Sequence, residues 1–302
     1  MRVQPRSTLV RSVCVGAICS VTCLPVFLPV ASKAAPDPLC LGVTATLVGT
    51  SGPNVLVGTP GKDVVVGGDG DDVIIGLGGR DLLCGGKGND AIDGRGDRDA
   101  INGGSGSDTI SGGGDRDFLL GEGGDDTVDG ERGDDRMAGG AGADVLAGGP
   151  GRDEVSFFAA MHGVRASLVH HRANGEGHDT LLSIEDLDGS GFADVFVGDR
   201  RRNHIDGGND DDVIRSRGGR DRMIGGRGDD ILRGGAGADV ILDTIDVAQG
   251  VFPDTGVDLL SGGRGDDRLD ATDKVSGNDT IRGGLGHDVC RADPGDHRSG
   301  CP

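Results

Sequence analysis

The 302 residues include 61 glycines and 7 phenylalanines but no Trp or Tyr, so no conventional core of large side chains is on offer. The glycines do not recur at every third position, which excludes collagen. Acidic residues number 50 against 30 basic ones, and the formal charge of −20 has the wrong sign for nucleic acid or an anionic membrane. Such a Gly- and Asp-rich chain predicts disorder unless something neutralises its carboxylates.

At the N-terminus Arg2, Arg6 and Arg11 precede an apolar run from Val13 to Val30, followed by the small residues Ser32 and Ala34. This order predicts a secretory signal peptide over residues 1–34, cut after Ala34. An uncleaved anchor is the competing reading, because the run is long enough to span a bilayer; Pro25, Pro29 and the cleavage-like tail weigh against it. Cleavage leaves Cys40, Cys84, Cys290 and Cys301, an even count that suits two disulfides in an exported chain. Four cysteines allow three pairings, of which Cys40–Cys84 with Cys290–Cys301 is the local one. No later segment is apolar enough to span a membrane, so the expected product is secreted and extracellular.

Residues 35–48 are expected to form an N-terminal cap. From 49 to 156 the chain then divides into twelve consecutive nonapeptides without a gap, among them "GGDGDDVII" (67–75) and "GGSGSDTIS" (103–111). Residues 157–197 break the frame and read as an irregular spacer that continues the same architecture. Within it, Val164, Ala166 and Leu168 alternate as in a strand. The frame returns over 198–291, interrupted by loops at 243–252 and 271–273, and residues 292–302 form a C-terminal cap. The repeat is GGxGxDxUx, with U aliphatic. Position six is Asn in Asn54 and Asn203 and otherwise Asp: Asp63, Asp72, Asp81, Asp90, Asp99, Asp108, Asp117, Asp126, Asp135, Asp144 and Asp153 in the first block, then Asp212, Asp221, Asp230, Asp239, Asp258, Asp267, Asp279 and Asp288 in the second.

This nonapeptide resembles the RTX (repeats-in-toxin, haemolysin-type) calcium-binding repeat. The likeness extends to secreted bacterial calcium-binding proteins built mostly of such units, including the cysteine-tethered ends. It implies an all-β fold, a right-handed parallel β-roll in two blocks, with several Ca²⁺ ions as cofactors. The position-six aspartates are the expected ligands.

The residues support that implication independently. "GGxGxD" reads as a turn and "xUx" as a very short strand whose middle side chain faces one side. Two units would complete a flattened coil, and coils would stack about 4.8 Å apart. Each coil then buries only two aliphatic residues, too little to offset the entropy of ordering it. Stacked loops would bring carboxylates and glycine carbonyls together. Such hard oxygen donors suit Ca²⁺ better than zinc or copper, and better than Mg²⁺, which dehydrates reluctantly.

The two kinds of loop differ. In alternate units of the first block position five reads Lys62, Arg80, Arg98, Arg116, Asp134 and Arg152; in the others it reads Pro53, Asp71, Asn89, Ser107, Asp125 and Ala143. Three readings of the basic column stand: guanidinium groups satisfy some aspartates and weaken calcium binding there, they point outward as a stripe for an anionic matrix polymer, or they are solvated side chains that balance local acid.

No HExxH helix, GxSxG elbow or paired CxxC spacing is present, so no enzyme is expected. His162, His170, His171 and His178 concentrate in the spacer, where a transition-metal site is one reading and solvated loop histidines the simpler one. The leading expectation is a secreted calcium-binding β-roll. Alternatives are a calcium-rigidified adhesion or matrix-binding protein with a cell-surface or matrix polymer as partner, and a hydrolase with a site in 157–197.

Overall fold

The computed structural model describes residues 39–243, 256–272 and 278–301. The predicted signal peptide, residues 35–38, residues 244–252 and Asp273 lie outside them. The described residues hold strands and turns and no helix. They form two long, mainly parallel sheets, sheet one with 13 strands and sheet two with 15, between which the strands of successive nonapeptides alternate. Two nonapeptides therefore complete one coil of a right-handed β-roll.

The register follows from the repeat length. Val65 pairs with Leu83 and Ile74 with Ile92, each 18 residues on, so position eight always stacks on position eight. These side chains point inward from both sheets and form one narrow core. Ile74, Leu83, Ile101, Leu119, Val128 and Met137 are fully buried within it. The period-two alternation of a strand places positions seven and nine on the outer faces.

The strands are longer than the three residues expected. Val64–Asp69 runs through positions seven to nine of one unit and into positions one to three of the next. Gly68 pairs with Gly86 and Asp69 with Lys87, so half of the glycine turn belongs to the ladder. The left-handed φ of Gly68, +114°, redirects the chain without breaking its register.

The spacer holds more of the repeat than its sequence shows. Val145–Ala147 pairs in parallel with Thr180–Leu182, and Glu154–Ser156 pairs with Asp186–Asp188. Val195–Val197 pairs with Val213–Arg215. Residues 174–182 and 189–197 are thus further units in frame, joined by a shortened one. Between them, Arg165–Ser167 and Arg172–Asn174 add two strands to sheet two that have no counterpart in sheet one. Val164, Ala166 and Leu168 are buried here, as their alternation predicts.

Both local disulfides are present, Cys40–Cys84 and Cys290–Cys301. The first ties the hairpin Leu39–Thr44 to sheet one, and the Thr46 N–H donates to the Val64 carbonyl at 2.7 Å. Val64 is consequently buried. The cover does not extend to sheet two, where Val55 is 72% exposed and Val73 40%.

Candidate metal centre

The coil places each position-six aspartate directly above another. The Asp72 N–H donates to Oδ1 of Asp90 at 2.8 Å, Asp90 donates to Asp108 at 2.7 Å, and Asp108 donates to Asp126 at 2.8 Å. A matching column on the loops leading into sheet one runs through Asp81, Asp99, Asp117, Asp135 and Asp153. The second block repeats it through Asp212, Asp230, Asp258 and Asp279, and through Asp221, Asp239, Asp267 and Asp288. Each carboxylate therefore spends Oδ1 on a backbone donor of the preceding coil.

The other oxygen is turned into the loop. Oδ2 of Asp72, Asp81, Asp90, Asp99, Asp108, Asp117, Asp126, Asp135, Asp144 and Asp153 is buried with no hydrogen-bond partner, as are those of Asp212, Asp239, Asp267 and Asp288. A buried carboxylate oxygen without a donor costs several kcal/mol, so a column of them is unstable as it stands.

The glycine at position one shows what faces these oxygens. A Cβ on Gly94 would lie 2.5 Å from Oδ2 of Asp99 and 2.7 Å from the Gly112 carbonyl oxygen in the next coil. At Gly112 the same point is 2.6 Å from Asp117 Oδ2 and 3.0 Å from the Gly130 carbonyl. Gly67, Gly85 and Gly121 repeat this pairing of an aspartate with the following coil's carbonyl. Each of these loops thus holds a cradle lined by the carboxylate and carbonyl oxygens. Carboxylate plus backbone carbonyl is the donor set of a hard cation, and Ca²⁺ contacts its oxygens at about 2.3–2.6 Å. The residues fit the metal that the repeat implies.

Electrostatics point the same way. Burial pushes the Asp99 carboxyl up to about 8; the Asp81 N–H partly offsets this, and the stacked charges of Asp81 and Asp117 add to it. Burial likewise raises Asp117, Asp126 and Asp153 to about 7, and Asp212 to about 9. The ladder resists ionising until a cation compensates it. Among the described residues Asp230, Asp243 and Asp258 bring three carboxylates together, each with an oxygen within 4.8 Å of the others. Asp243, directly after the unit ending at Leu242, was not anticipated: it stands where the repeat puts glycine, and no ligand signal marks that position. The spacer histidines form no such trio.

Position five builds an outer column. On loops leading into sheet two, Oδ1 of Asp71 accepts the Asn89 N–H, and Asn89 and Asp125 do the same for Ser107 and Ala143, each at 2.8 Å. On the other loops Lys62, Arg80, Arg98 and Arg116 are exposed. No guanidinium satisfies Oδ2 of Asp81, Asp99, Asp117, Asp135 or Asp153, which corrects the first reading of the basic column. The reason is directional: position-five side chains leave the coil on its outer side, and Arg116 Nε donates to the Asp134 carbonyl at 3.0 Å. Further along the same face a cleft of about 680 Å³ is lined by Arg98, Arg116, Phe118, Arg136, Glu154 and His204 among others.

Comparison with individual curated proteins gives no match. The model of the RTX calcium-binding nonapeptide repeat matches residues 48–83, 76–110, 85–119, 120–155, 188–223, 216–242, 254–273 and 276–296. These matches cover most of the chain and include the unit at 189–197 inside the spacer. The chain belongs to the RTX calcium-binding nonapeptide-repeat family.

Proposed function

We propose that the chain is a secreted, non-enzymatic calcium-binding protein whose roll forms as ions occupy the loops. The observation that carries this reading is the column of buried Oδ2 atoms, such as those of Asp72, Asp90, Asp99, Asp117 and Asp126, which face a position-one carbonyl of the next coil and lack any donor. Bound Ca²⁺ would supply the positive charge those carboxylates lack. Asp72, Asp90, Asp108, Asp126 and Asp144 would hold it on one edge of the first block, and Asp81, Asp99, Asp117, Asp135 and Asp153 on the other. In the second block the ligands would be Asp212, Asp230, Asp239, Asp258, Asp267, Asp279 and Asp288. Folding and binding are then one event, as for other metal sites that the unfolded chain cannot preform. Dissociation constants of about 10⁻⁴ to 10⁻³ M, usual for extracellular calcium modules, would make secretion itself the trigger. Limited proteolysis tests this: the chain should resist cleavage in millimolar Ca²⁺ and be digested throughout in chelator. Equal resistance in both would refute it.

A second reading, a matrix- or surface-binding protein that calcium rigidifies, rests on the cleft beside the basic column. Phe118, 39% exposed, offers a flat apolar face there, and Arg98 and Arg116 offer cationic forks suited to carboxylate or sulfate. A pull-down with acidic polysaccharide beads, with and without Ca²⁺, tests it. Retention lost in Arg98→Ser/Arg116→Ser supports this reading, and no retention of the wild type removes it.

A further inference from the structure

The loops exist in two states that the repeat consensus conceals. In the loops with unpartnered Oδ2 atoms, position two is left-handed whatever residue stands there: Gly68 (+114°), Leu77 (+81°), Arg95 (+78°), Glu122 (+76°) and Glu131 (+64°). Thr50, Thr59, Ser190 and Asp199 occupy position two in four other loops, and none of them is left-handed. Threonine is β-branched and avoids that region. In these four loops the position-two N–H turns inward onto position six. Thr59 N donates to Asp63 Oδ2 at 2.6 Å and its hydroxyl to the same oxygen at 2.9 Å. Ser190 N donates to Asp194 Oδ2 at 2.7 Å. Thr50 N reaches Asn54 Oδ1 at 2.6 Å, and Asp199 N reaches Asn203 Oδ1 at 2.9 Å. Two of these position-six residues are the only asparagines among the units, so no charge remains there to neutralise.

Two loops of nearly equal sequence isolate the cause. "GTPGKD" (58–63) and "GGPGRD" (148–153) differ at position two and in Lys against Arg. Gly149 is left-handed at +97° and Asp153 Oδ2 has no partner. In the Thr59 loop the corresponding Asp63 oxygen already holds two donors. A different substitution closes a fifth loop. Ser216 replaces the position-one glycine, is fully buried, and its Oγ donates to the Gly234 carbonyl at 2.8 Å. Its side chain stands where the other loops leave the position-one cradle open; Arg217 beside it keeps the left-handed +78°, and Asp221 Oδ2 has no hydrogen-bond partner.

We infer that positions one and two decide which loops take calcium: the Thr50, Thr59, Ser190 and Asp199 loops are closed by their own N–H donors and bind no ion, and Ser216 plugs a fifth. This rests on the calcium reading above and refines it. The capped loops come in consecutive pairs, one leading into each sheet. The first pair opens the first block, and the second pair follows the two extra strands of sheet two. Each block therefore starts on one complete coil held by hydrogen bonds, a ready edge for metal-dependent coils to add to.

The test counts ions on the full chain in Ca²⁺ by native mass spectrometry. Thr59→Gly removes the cap and Ser216→Gly empties the plugged cradle without altering the backbone around it. Each should add about one bound ion per chain relative to wild type, consistent with one cation per cradle. Thr59→Ser, which keeps the donors seen at Ser190, should add none, and Gly149→Thr should remove about one. Unchanged counts in both glycine variants, on a wild type that binds calcium, would overturn the inference while leaving the calcium reading intact. A wild type that binds no Ca²⁺ overturns the calcium reading itself. Ser216→Gly keeps the test decisive if Thr59→Gly misfolds.

Discussion

Asp90 accepts the Asp72 backbone N–H on Oδ1 at 2.8 Å and leaves Oδ2 buried without a partner. One carboxylate thus fixes the stacking of two coils with one oxygen and presents the other to the loop interior. Structural ladder and ion site are the same side chain, divided between its two oxygens.

Acid should substitute in part for calcium. Asp99, Asp117, Asp126, Asp153 and Asp212 titrate at about 7 to 9 in the roll against 3.8 ordinarily. A raised acid pKa means the metal-free roll holds protons that the unfolded chain has lost. The metal-free roll carries no penalty below pH ~4, loses stability as pH rises from there, and reaches its full penalty above the folded values. In chelator, β-sheet signal should therefore be larger at pH 5 than at pH 8. With calcium present the sign reverses, because binding expels those protons. The half-saturating Ca²⁺ concentration should fall by about tenfold or more between pH 5.5 and 7.5. A pH-independent midpoint would contradict the buried-carboxylate account.

Asp126→Asn in the middle of the first block keeps an oxygen to accept the Asp108 N–H but removes the charge facing the Gly139 carbonyl. It should lose about one ion and raise the calcium midpoint by roughly two- to fivefold, given one hard ligand fewer. Asp125→Asn, one residue earlier on the exposed column, should leave both unchanged. Ion counting with a circular dichroism titration distinguishes them.

Shortening a core side chain should act through the metal requirement. Ile101 is fully buried in the single-file core, and Ile101→Ala deletes packing worth about 2–5 kcal/mol. Since folding draws on calcium binding, the variant should still fold but at higher Ca²⁺. A midpoint equal to wild type would show that the core contributes little at that coil.

Removing the first disulfide should uncover the start of the roll. The Cys40–Cys84 bond closes a separation of 44 residues and holds the hairpin beside Val64. Cys40→Ser/Cys84→Ser should cost about 2–4 kcal/mol. Hydrogen exchange should show the loss as faster exchange at Val64–Asp69, with residues near Met137 unaffected.

The roll was legible because Asp and an aliphatic residue recur two positions apart in every nonapeptide, a signal that single substitutions do not erase. The units at 174–182 and 189–197 escaped because Asn174 and Phe192 stand where glycine was sought, while Asp179 and Asp194 still hold their rungs. The six-residue strands escaped too, since glycine in a sequence reads as turn even where its backbone continues a ladder. At position two the letters were plain, Thr59 against Gly149, but their meaning was not. Which way an N–H points depends on a backbone state that composition does not express.

The central claim is that calcium and the roll form together. Far-UV circular dichroism on the purified chain, first in chelator and then through a Ca²⁺ titration with Mg²⁺ as control, tests it most directly. The chain carries no tryptophan, so backbone signal is the natural probe. The account predicts a cooperative change from coil to β-sheet with Ca²⁺ and none with Mg²⁺ at the same concentration. Full β-sheet signal in chelator at neutral pH, unchanged by added Ca²⁺, would contradict it.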